Sequence, residues 1–177
     1  MKTLAISSLV LLAPVAVHAA EKSQALVRAM RSDEIAVSQA KRAFLSGALE
    51  DRFGKTNPAC VKKVPYTEFT AGSVRVVESA LSATEIDGAL AFFQSPAGGK
   101  YVEGLVRRLR ASQGEDSTLP AVKGKEEITP EQVAAIAEFS RSDLGHKIMG
   151  RDMTESPAAL ALGKDIMSSI AAKCGSK

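Results

Sequence analysis

The chain has 177 residues and a formal net charge of +3, and small and aliphatic residues dominate it while Trp is absent. A chain of this length buries a core as one domain, and so small a net charge argues against nucleic acid or an anionic membrane surface as a partner. Scarce aromatic residues and abundant Ala, Leu, Glu and Lys favour helices over a β-sandwich. We therefore expect an all-α, single-domain helical bundle of about six to eight helices with no sheet.

The N-terminal residues have the anatomy of a secretory signal peptide. A basic residue precedes an apolar stretch from Leu4 to Val17, and Val17 and Ala19 offer small side chains where a leader peptidase reads them. The alternative, a membrane anchor, needs about 20 unbroken apolar residues, whereas Pro14 interrupts this stretch. We predict cleavage near Ala19, a periplasmic or secreted protein, and no stable membrane insertion afterwards. The predicted units are a signal peptide over residues 1–19 and a helical domain over residues 20–177.

Two cysteines, Cys60 and Cys174, remain after the predicted leader. An even pair in an exported chain predicts one disulfide. Such a bond would place the turn that begins at Asn57 beside the end of the C-terminal helix. The alternative is a catalytic thiol, which would need a histidine nearby, and His146 is the only histidine after the leader.

Helical spacing of apolar residues extends from Ser23 to about Phe53. Ser32 and the two acids that follow it would suit a new helix start, so one bent helix and two shorter helices both remain open here. Residues 55–65 contain two prolines and are predicted to form a connecting loop. Another helix is expected from Tyr66 onward.

One segment of the chain occurs twice. The run from Leu81 to Tyr101 recurs without a gap from Ile128 to Ile148. We interpret the copies as internal helix–break–helix repeats over residues 81–110 and 128–155, in a repeat-bearing part that spans residues 66–177. The matching motif positions are Phe92, Ser95, Gly98 and Lys100 in the first copy, and Phe139, Ser142, Gly145 and Lys147 in the second.

Each copy has the residues for two helix starts. A capping box, in which a hydroxyl binds the N3 amide and the N3 side chain reaches back, is predicted for Ser82 with Glu85 and for Thr129 with Gln132. The first helix then breaks where Ser95 precedes Pro96, and Ser142 precedes an acid at the matching place, because an N-cap and a favourable N1 residue begin a new helix. Ser156 predicts the start of the last helix in the same way.

The repeated glycines, Gly98 and Gly145, are expected to be contact points between closely packed helices rather than parts of a phosphate loop. A glycine costs about 1 kcal/mol in a helix interior, so a repeated one on a packing face indicates close approach. Helical spacing also predicts core-facing side chains in the second copy. These are Val133, Ile136 and Ala137 in its first helix, and Met149 and Met153 along one face of its second helix.

The run from Glu85 to Lys100 resembles the signature of a bacterial family of exported, uncharacterised, all-helical proteins. The common core of that family reads glutamate-leucine, a few residues, Phe-Tyr, any residue, Ser-Pro, any residue, Gly, any residue, Lys. The resemblance covers the first copy closely and the region from Tyr66 to Arg110 more loosely, with Phe93 where the family usually has tyrosine. It implies an all-α exported protein and supplies no catalytic residues to carry over.

The remaining polar residues predict no catalytic, cofactor-binding or metal-binding site. The position of His146 is occupied by Gly99 in the first copy, so we interpret this histidine as a surface residue rather than a base. Lys100 and Lys147 are interpreted as solvated lysines with packed stems rather than as an anion site. The arginine cluster from Arg107 to Arg110 is interpreted as a solvated face, and the carboxylates lack the spacing of a metal site.

Three functional hypotheses follow from the sequence. The first is a non-enzymatic exported protein that acts through contacts with another protein of the cell envelope. A more specific version is an immunity or inhibitor protein directed against a toxin that acts in the envelope. The third is a small-ligand binder or an enzyme that uses a cleft between the repeats, for which a deep pocket lined by His146, one of the repeated lysines and a carboxylate would be the evidence.

Overall fold

The computed structural model describes residues 13–113 and 128–175, and for residues 13–18 it describes the backbone alone. The α-helices are α1 Ala13–Met30, α2 Ser32–Leu45, α3 Glu50–Phe53, α4 Pro58–Lys63, α5 Thr70–Ala80, α6 Ala83–Phe93, α7 Pro96–Ala111, α8 Pro130–Arg141, α9 Asp143–Met149, α10 Arg151–Thr154 and α11 Pro157–Cys174. A 3-10 turn over Tyr66–Phe69 precedes α5. The prediction of an all-α bundle is confirmed. The helical segments outnumber the predicted six to eight because several are only one or two turns long.

The hydrophobic core is centred on three helices, α1, α5 and α11. Helix α1 packs against α5 and α6, and α11 packs against α5 and α2. Their inward side chains leave the solvent almost completely, as Leu26, Val77 and Ile170 do. Burial of such side chains is the main favourable term in folding. No helix within residues 13–113 and 128–175 is both long and apolar enough to cross a membrane.

The region from Ser23 to about Phe53, predicted as one bent helix or two shorter ones, contains three helices, because the short α3 follows α1 and α2, which are themselves separate. Arg31 separates α1 from α2 in the left-handed conformation, with φ 51°, which costs a residue with a side chain about 1–2 kcal/mol. Its guanidinium Nε donates to the carboxylate of Glu34 at 2.8 Å. The chain is already helical at Ala13, the first residue that the structure describes, rather than from the expected Ser23, and α1 continues through the predicted cleavage site at Ala19.

A buried ion pair joins α2 to α7. Glu34 is only 4 % exposed, and its other carboxylate oxygen accepts a hydrogen bond from Arg110 Nε at 2.9 Å. The interpretation of the whole arginine cluster as a solvated face is therefore wrong for Arg110. Arg107 and Arg108 are exposed as expected, because they lie on the side of α7 that faces away from α2.

The expected loop over residues 55–65 contains helix α4. Asn57 Oδ1 accepts hydrogen bonds from the backbone amides of Ala59 and Cys60 at 2.9 and 3.3 Å. Pro58 occupies N1, where its missing N–H removes no helical hydrogen bond and its fixed φ suits the helix. The loop prediction is wrong because this proline starts a helix instead of breaking one.

The disulfide Cys60–Cys174 is present, with a Cα–Cα distance of 5.5 Å. It fastens the start of α4 to the end of α11, as predicted. Asn57 N donates to the carbonyl of Cys174 at 2.8 Å, and Thr56 forms an antiparallel bridge with Gly175. That isolated bridge is the β pairing seen in the described residues, which contain no strand.

The second copy departs from its predicted packing in two places. Val133 is 53 % exposed, and Ile136 and Ala137 are only half-buried, so the expected core-facing stripe of α8 is wrong. The main contacts of α8 are with α7 and α9, which places it outside the core helices. Gly150 ends α9 after seven residues, so Met153 reaches the core from α10 rather than from a continuous second helix.

Candidate ligand-binding site

The two segments interpreted as copies of a repeat lie against each other. The rings of Phe92 and Phe139, which occupy the same motif position, stack with centroids 3.8 Å apart and an interplanar angle of 2°. Phe93 meets Phe139 edge to face at 5.5 Å. Helix α6 contacts α9 and α7 contacts α8, so the first helix of each copy contacts the second helix of the other. The rings of Phe92 and Phe139 thus join the copies.

The helix N-termini in both copies are capped by side chains of the same segment. Ser82 Oγ accepts from the amide of Glu85 at 3.3 Å, and the carboxylate of Glu85 accepts from the amide of Ser82 at 2.7 Å. Thr129 and Gln132 form the same reciprocal pair at 3.3 and 3.0 Å. The second helix starts are capped as well, since Ser95 Oγ and Ser142 Oγ accept from the amides of Gly98 and Gly145. Ser156 Oγ caps the last helix in the same way, by accepting from the amide of Ala159. Capping accounts for these hydroxyls.

The repeated glycines lie where each second helix meets the end of the first. A Cβ on Gly98 would lie 2.2 Å from the carbonyl oxygen of Phe92, and a Cβ on Gly145 would lie 1.8 Å from that of Phe139. Both distances are far below van der Waals contact. The expected close approach is therefore present, and its partner is the backbone of the preceding helix.

An ion pair connects the copies. Lys147 Nζ lies 2.8 Å from a carboxylate oxygen of Glu85, and both side chains are about one-third exposed. The hydrogen bond from Lys147, followed by the one from the Ser82 amide, lowers the pKa of Glu85 from 4.5 to about 2. Lys147 is therefore held by an acid of the other copy and is not simply solvated. Lys100 is half-buried.

A cavity of about 600 Å³ opens between α2, α7 and α11, with α5, α9 and α10 at its edges. Its lining consists of aliphatic, aromatic and thioether side chains with a few hydroxyls and one amide. The lining residues are Met30, Ser32, Ile35, Ala36, Gln39, Ala40, Ala43, Ser73, Val76, Phe93, Tyr101, Val102, Leu105, Ile148, Met149, Met153, Thr154, Ala159, Leu160, Leu162, Gly163, Ile166 and Met167.

Small residues on facing helices make this space. Ala36, Ala40 and Ala43 share one side of α2 at helical spacing, and Ala159 and Gly163 are one turn apart on α11. A Cβ built on Gly163 would meet no atom within 4 Å. Because these side chains are small, the facing helices leave the space between them unfilled.

Methionine is concentrated at this cavity. The chain has five methionines, and Met30, Met149, Met153 and Met167 all line the cavity, so every methionine after the initiator is found there. The thioether chain is flexible and polarizable, and it adapts to irregular apolar surfaces and to varied ligands. The methionines come from four different helices, so only the fold brings them together.

Two hydroxyls in the cavity wall have no hydrogen-bond partner in the described structure. They are Ser32 Oγ and Ser73 Oγ, both shielded from solvent, and Ser73 as a whole is 2 % exposed. Leaving a buried polar group without a partner costs about 1–3 kcal/mol. Both oxygens present almost no accessible surface, so they are buried in the wall rather than open to the cavity.

The repeated segments contribute corresponding positions to the cavity wall. Tyr101 and Val102 line it from the first copy, and Ile148 and Met149, which match them in the second copy, line it as well. Phe93 adds the motif ring that faces inward. Sequence reasoning missed this wall because periodicity identifies which residues turn inward but not where the facing helices fail to fill the space.

The polar residues that the sequence singled out are not brought to the cavity. His146 is exposed on α9, and the described lining includes neither this histidine nor Lys100 or Lys147. The combination expected for a cleft enzyme is thus not assembled there. Among the described residues, no group of three or more His, Cys, Asp or Glu side chains is arranged to hold a metal ion.

Comparison of the chain with models of known protein families, with curated proteins and with solved structures found no match. The resemblance to an exported helical family therefore stays a prediction from the residues of the first copy.

Proposed function

We propose that this chain is a binding protein that holds an apolar small molecule in the cavity between α2, α7 and α11. The observation that carries the proposal is the cavity itself. Its volume of about 600 Å³ lies within the range of about 300–1,000 Å³ that is typical of ligand pockets, which are mostly apolar with a few polar groups. Its methionines adapt the wall to the shape of a guest.

Gly163 supports the proposal because it destabilises α11 although no close neighbour requires a glycine at this position. It lies in the interior of α11, where glycine is about 1 kcal/mol less favourable than alanine. A side chain there would enter open space. A residue that sacrifices stability while keeping a cavity open is a common sign of a functional site.

The proposal includes export of the chain to the periplasm or beyond. Its support is the signal-peptide pattern together with the disulfide, since such bonds persist in oxidising compartments. Among the described side chains of α1, those that are buried are Ser23, Leu26, Val27 and Met30. All of them follow the predicted cleavage site near Ala19, so cleavage leaves the core part of α1 in place.

The proposal is tested with Gly163→Leu and the uncharged dye Nile red. The new side chain should fill the cavity and abolish most of the dye fluorescence that the wild-type protein induces. The melting temperature should stay unchanged or rise, because leucine is the better helix former by about 0.8 kcal/mol and its Cβ would meet no atom within 4 Å.

Gly104→Leu is the matched control. Gly104 also lies inside a helix with no atom within 4 Å of a built Cβ, but it does not line the cavity. This variant should gain the same helical preference and bind the dye like the wild type. Full dye binding by Gly163→Leu would refute the proposed site.

Contact with another envelope protein, including the immunity or inhibitor version, remains a second candidate. The observation that favours it is the apolar surface at the start of α8, where Ile128 and Val133 are 45 % and 53 % exposed. Exposed apolar side chains take part in protein interfaces when they form a contiguous patch. The cavity is the stronger basis, because single exposed apolar residues are common on any protein surface.

A further inference from the structure

We infer that the ligand of the cavity is an uncharged apolar molecule that carries a hydrogen-bond acceptor, a carbonyl or ether oxygen, and that the phenol of Tyr101 donates to this oxygen. This inference rests on the proposed function and specifies the chemical class of the ligand and the residue that recognises its polar atom.

Tyr101 is placed to reach a molecule bound in the cavity. It lies on α7 next to the buried Val102, and both side chains line the cavity. The tyrosine itself is half-buried and packs against the hydrophobic core. Its ring therefore belongs to the cavity wall and is more than a surface side chain.

The Tyr101 hydroxyl is available to such a molecule. It has no hydrogen-bond partner among the described residues, where the shielded hydroxyls without a partner are those of Ser32 and Ser73. The phenol oxygen is not one of these, so it keeps surface that another molecule can touch. A tyrosine hydroxyl in a protein interior usually finds a hydrogen-bond partner, and a bound ligand would supply it.

The other polar side chains in the described lining are less suited to this role. Ser32 Oγ and Ser73 Oγ are shielded, and the Thr154 hydroxyl donates to backbone carbonyls of the preceding turn at 3.3 and 3.1 Å. Gln39 is exposed, so water can satisfy its amide. Within the described lining, Tyr101 is thus the polar side chain that is half-buried, unbonded and open to a ligand.

The surroundings of Tyr101 favour an uncharged acceptor. A phenol donates one hydrogen bond, which a carbonyl or ether oxygen accepts. The lining within the described residues includes no charged side chain, and a buried carboxylate, phosphate or ammonium group needs an opposite charge beside it. The ligand class is therefore neutral, such as a ketone, an ester or an ether with an apolar frame.

The test compares butylbenzene, butyrophenone and phenylbutanoate as competitors of Nile red on the purified protein. Butyrophenone is butylbenzene with a carbonyl in place of a methylene group, and phenylbutanoate is butylbenzene with a carboxylate in place of the methyl group. The affinity of the dye for each variant is measured first, because Nile red has a carbonyl of its own.

In Tyr101→Phe, butyrophenone should lose roughly five-fold in affinity, the value of about one hydrogen bond, while butylbenzene should compete as before. Tyr66→Phe is the matched control and should change neither affinity, since Tyr66 is the other tyrosine of the chain and does not line the cavity. In the wild type, phenylbutanoate should compete less well than butyrophenone. Thermal melting of each variant checks that the fold is intact.

Equal changes for butyrophenone and butylbenzene in Tyr101→Phe, including no change for either, would overturn the assignment of the hydrogen bond to Tyr101. Phenylbutanoate competing better than butyrophenone would overturn the uncharged class. Both results would leave the cavity itself as a binding site. If Gly163→Leu retained the dye, the proposed function would fail instead.

Discussion

Gly98 and Gly145 lie at the point where a helix start meets the end of the preceding helix. Neither has a positive φ, so the requirement for glycine there is one of space rather than of backbone conformation. In each case the Cβ position is already occupied by a carbonyl of the preceding helix. Backbone cannot move aside as the end of a flexible side chain can, so the site does not tolerate even a methyl group.

At this scale we predict that Gly98→Ala and Gly145→Ala each lower the free energy of unfolding by about 1–3 kcal/mol, the usual cost of overpacking. The measurement is urea unfolding followed by circular dichroism. Gly99→Ala is the matched control, because a Cβ at Gly99 meets nothing within 4 Å; it should raise stability by up to about 1 kcal/mol. Equal effects at Gly98 and Gly99 would contradict the close approach.

A charged contact and aromatic contacts join the elements of the two copies. Glu85 belongs to the capping box of α6 and also binds Lys147 of α9. The stacked rings of Phe92 and Phe139 lie between α6 and α8. Glu85 thus caps α6 and also binds α9, so the stability of this arrangement depends on the charge of Glu85.

The pH dependence follows from the lowered pKa of Glu85. The unfolded chain binds a proton at Glu85 near pH 4.5, whereas the folded chain does so only near pH 2. The stabilising contribution is therefore complete above pH 4.5 and is lost as the pH falls toward 2. Urea midpoints measured between about pH 5 and pH 2.5 should fall less steeply for Glu85→Gln than for the wild type.

The exposed carboxylate of Glu78 provides the control for this series. Glu78→Gln should follow the wild-type pH profile, because the carboxylate that binds Lys147 is that of Glu85. A Glu85→Gln profile as steep as that of the wild type would show that the contact with Lys147 does not stabilise the fold.

At the scale of the whole molecule, the disulfide between Cys60 and Cys174 joins two residues that are 114 positions apart in the chain. All of the cavity-lining helices from α5 to α11 lie within this loop. A bond across so long a loop removes much conformational freedom from the unfolded chain. The disulfide therefore acts on the stability of the whole bundle rather than on a single contact.

Replacing both cysteines by serine should lower the free energy of unfolding by about 2–5 kcal/mol, as measured by urea unfolding of the oxidised wild type and the double variant. Thiol labelling of the unfolded, unreduced wild type should detect no free cysteine. Reductant should lower the stability of the wild type to that of the double variant and leave the variant unchanged. Two reactive thiols in the unreduced protein would contradict the bond.

Much of the local structure could be predicted from residues close together in the chain. The caps at Ser82, Thr129 and Ser156 involve partners three residues away, so their chemistry is complete in the sequence. The prediction of a loop over residues 55–65 is wrong for a local reason too. Asn57 and Pro58 start a helix, whereas they were interpreted as a break. The prediction that the apolar side of α8 faces the core is wrong for a different reason. Helical spacing identifies an apolar side but not which neighbouring element covers it.

By itself, the amino-acid sequence determined the all-α class, most of the helix starts and the disulfide, because each depends on composition, on neighbours along one turn, or on an even pair of cysteines. The tertiary structure alone decided that Arg110 binds the buried Glu34 and that small residues of α2 and α11 face each other across a cavity. Ion pairs and voids arise from the distance between helices far apart in the chain, and that distance is set by the packing of the whole core.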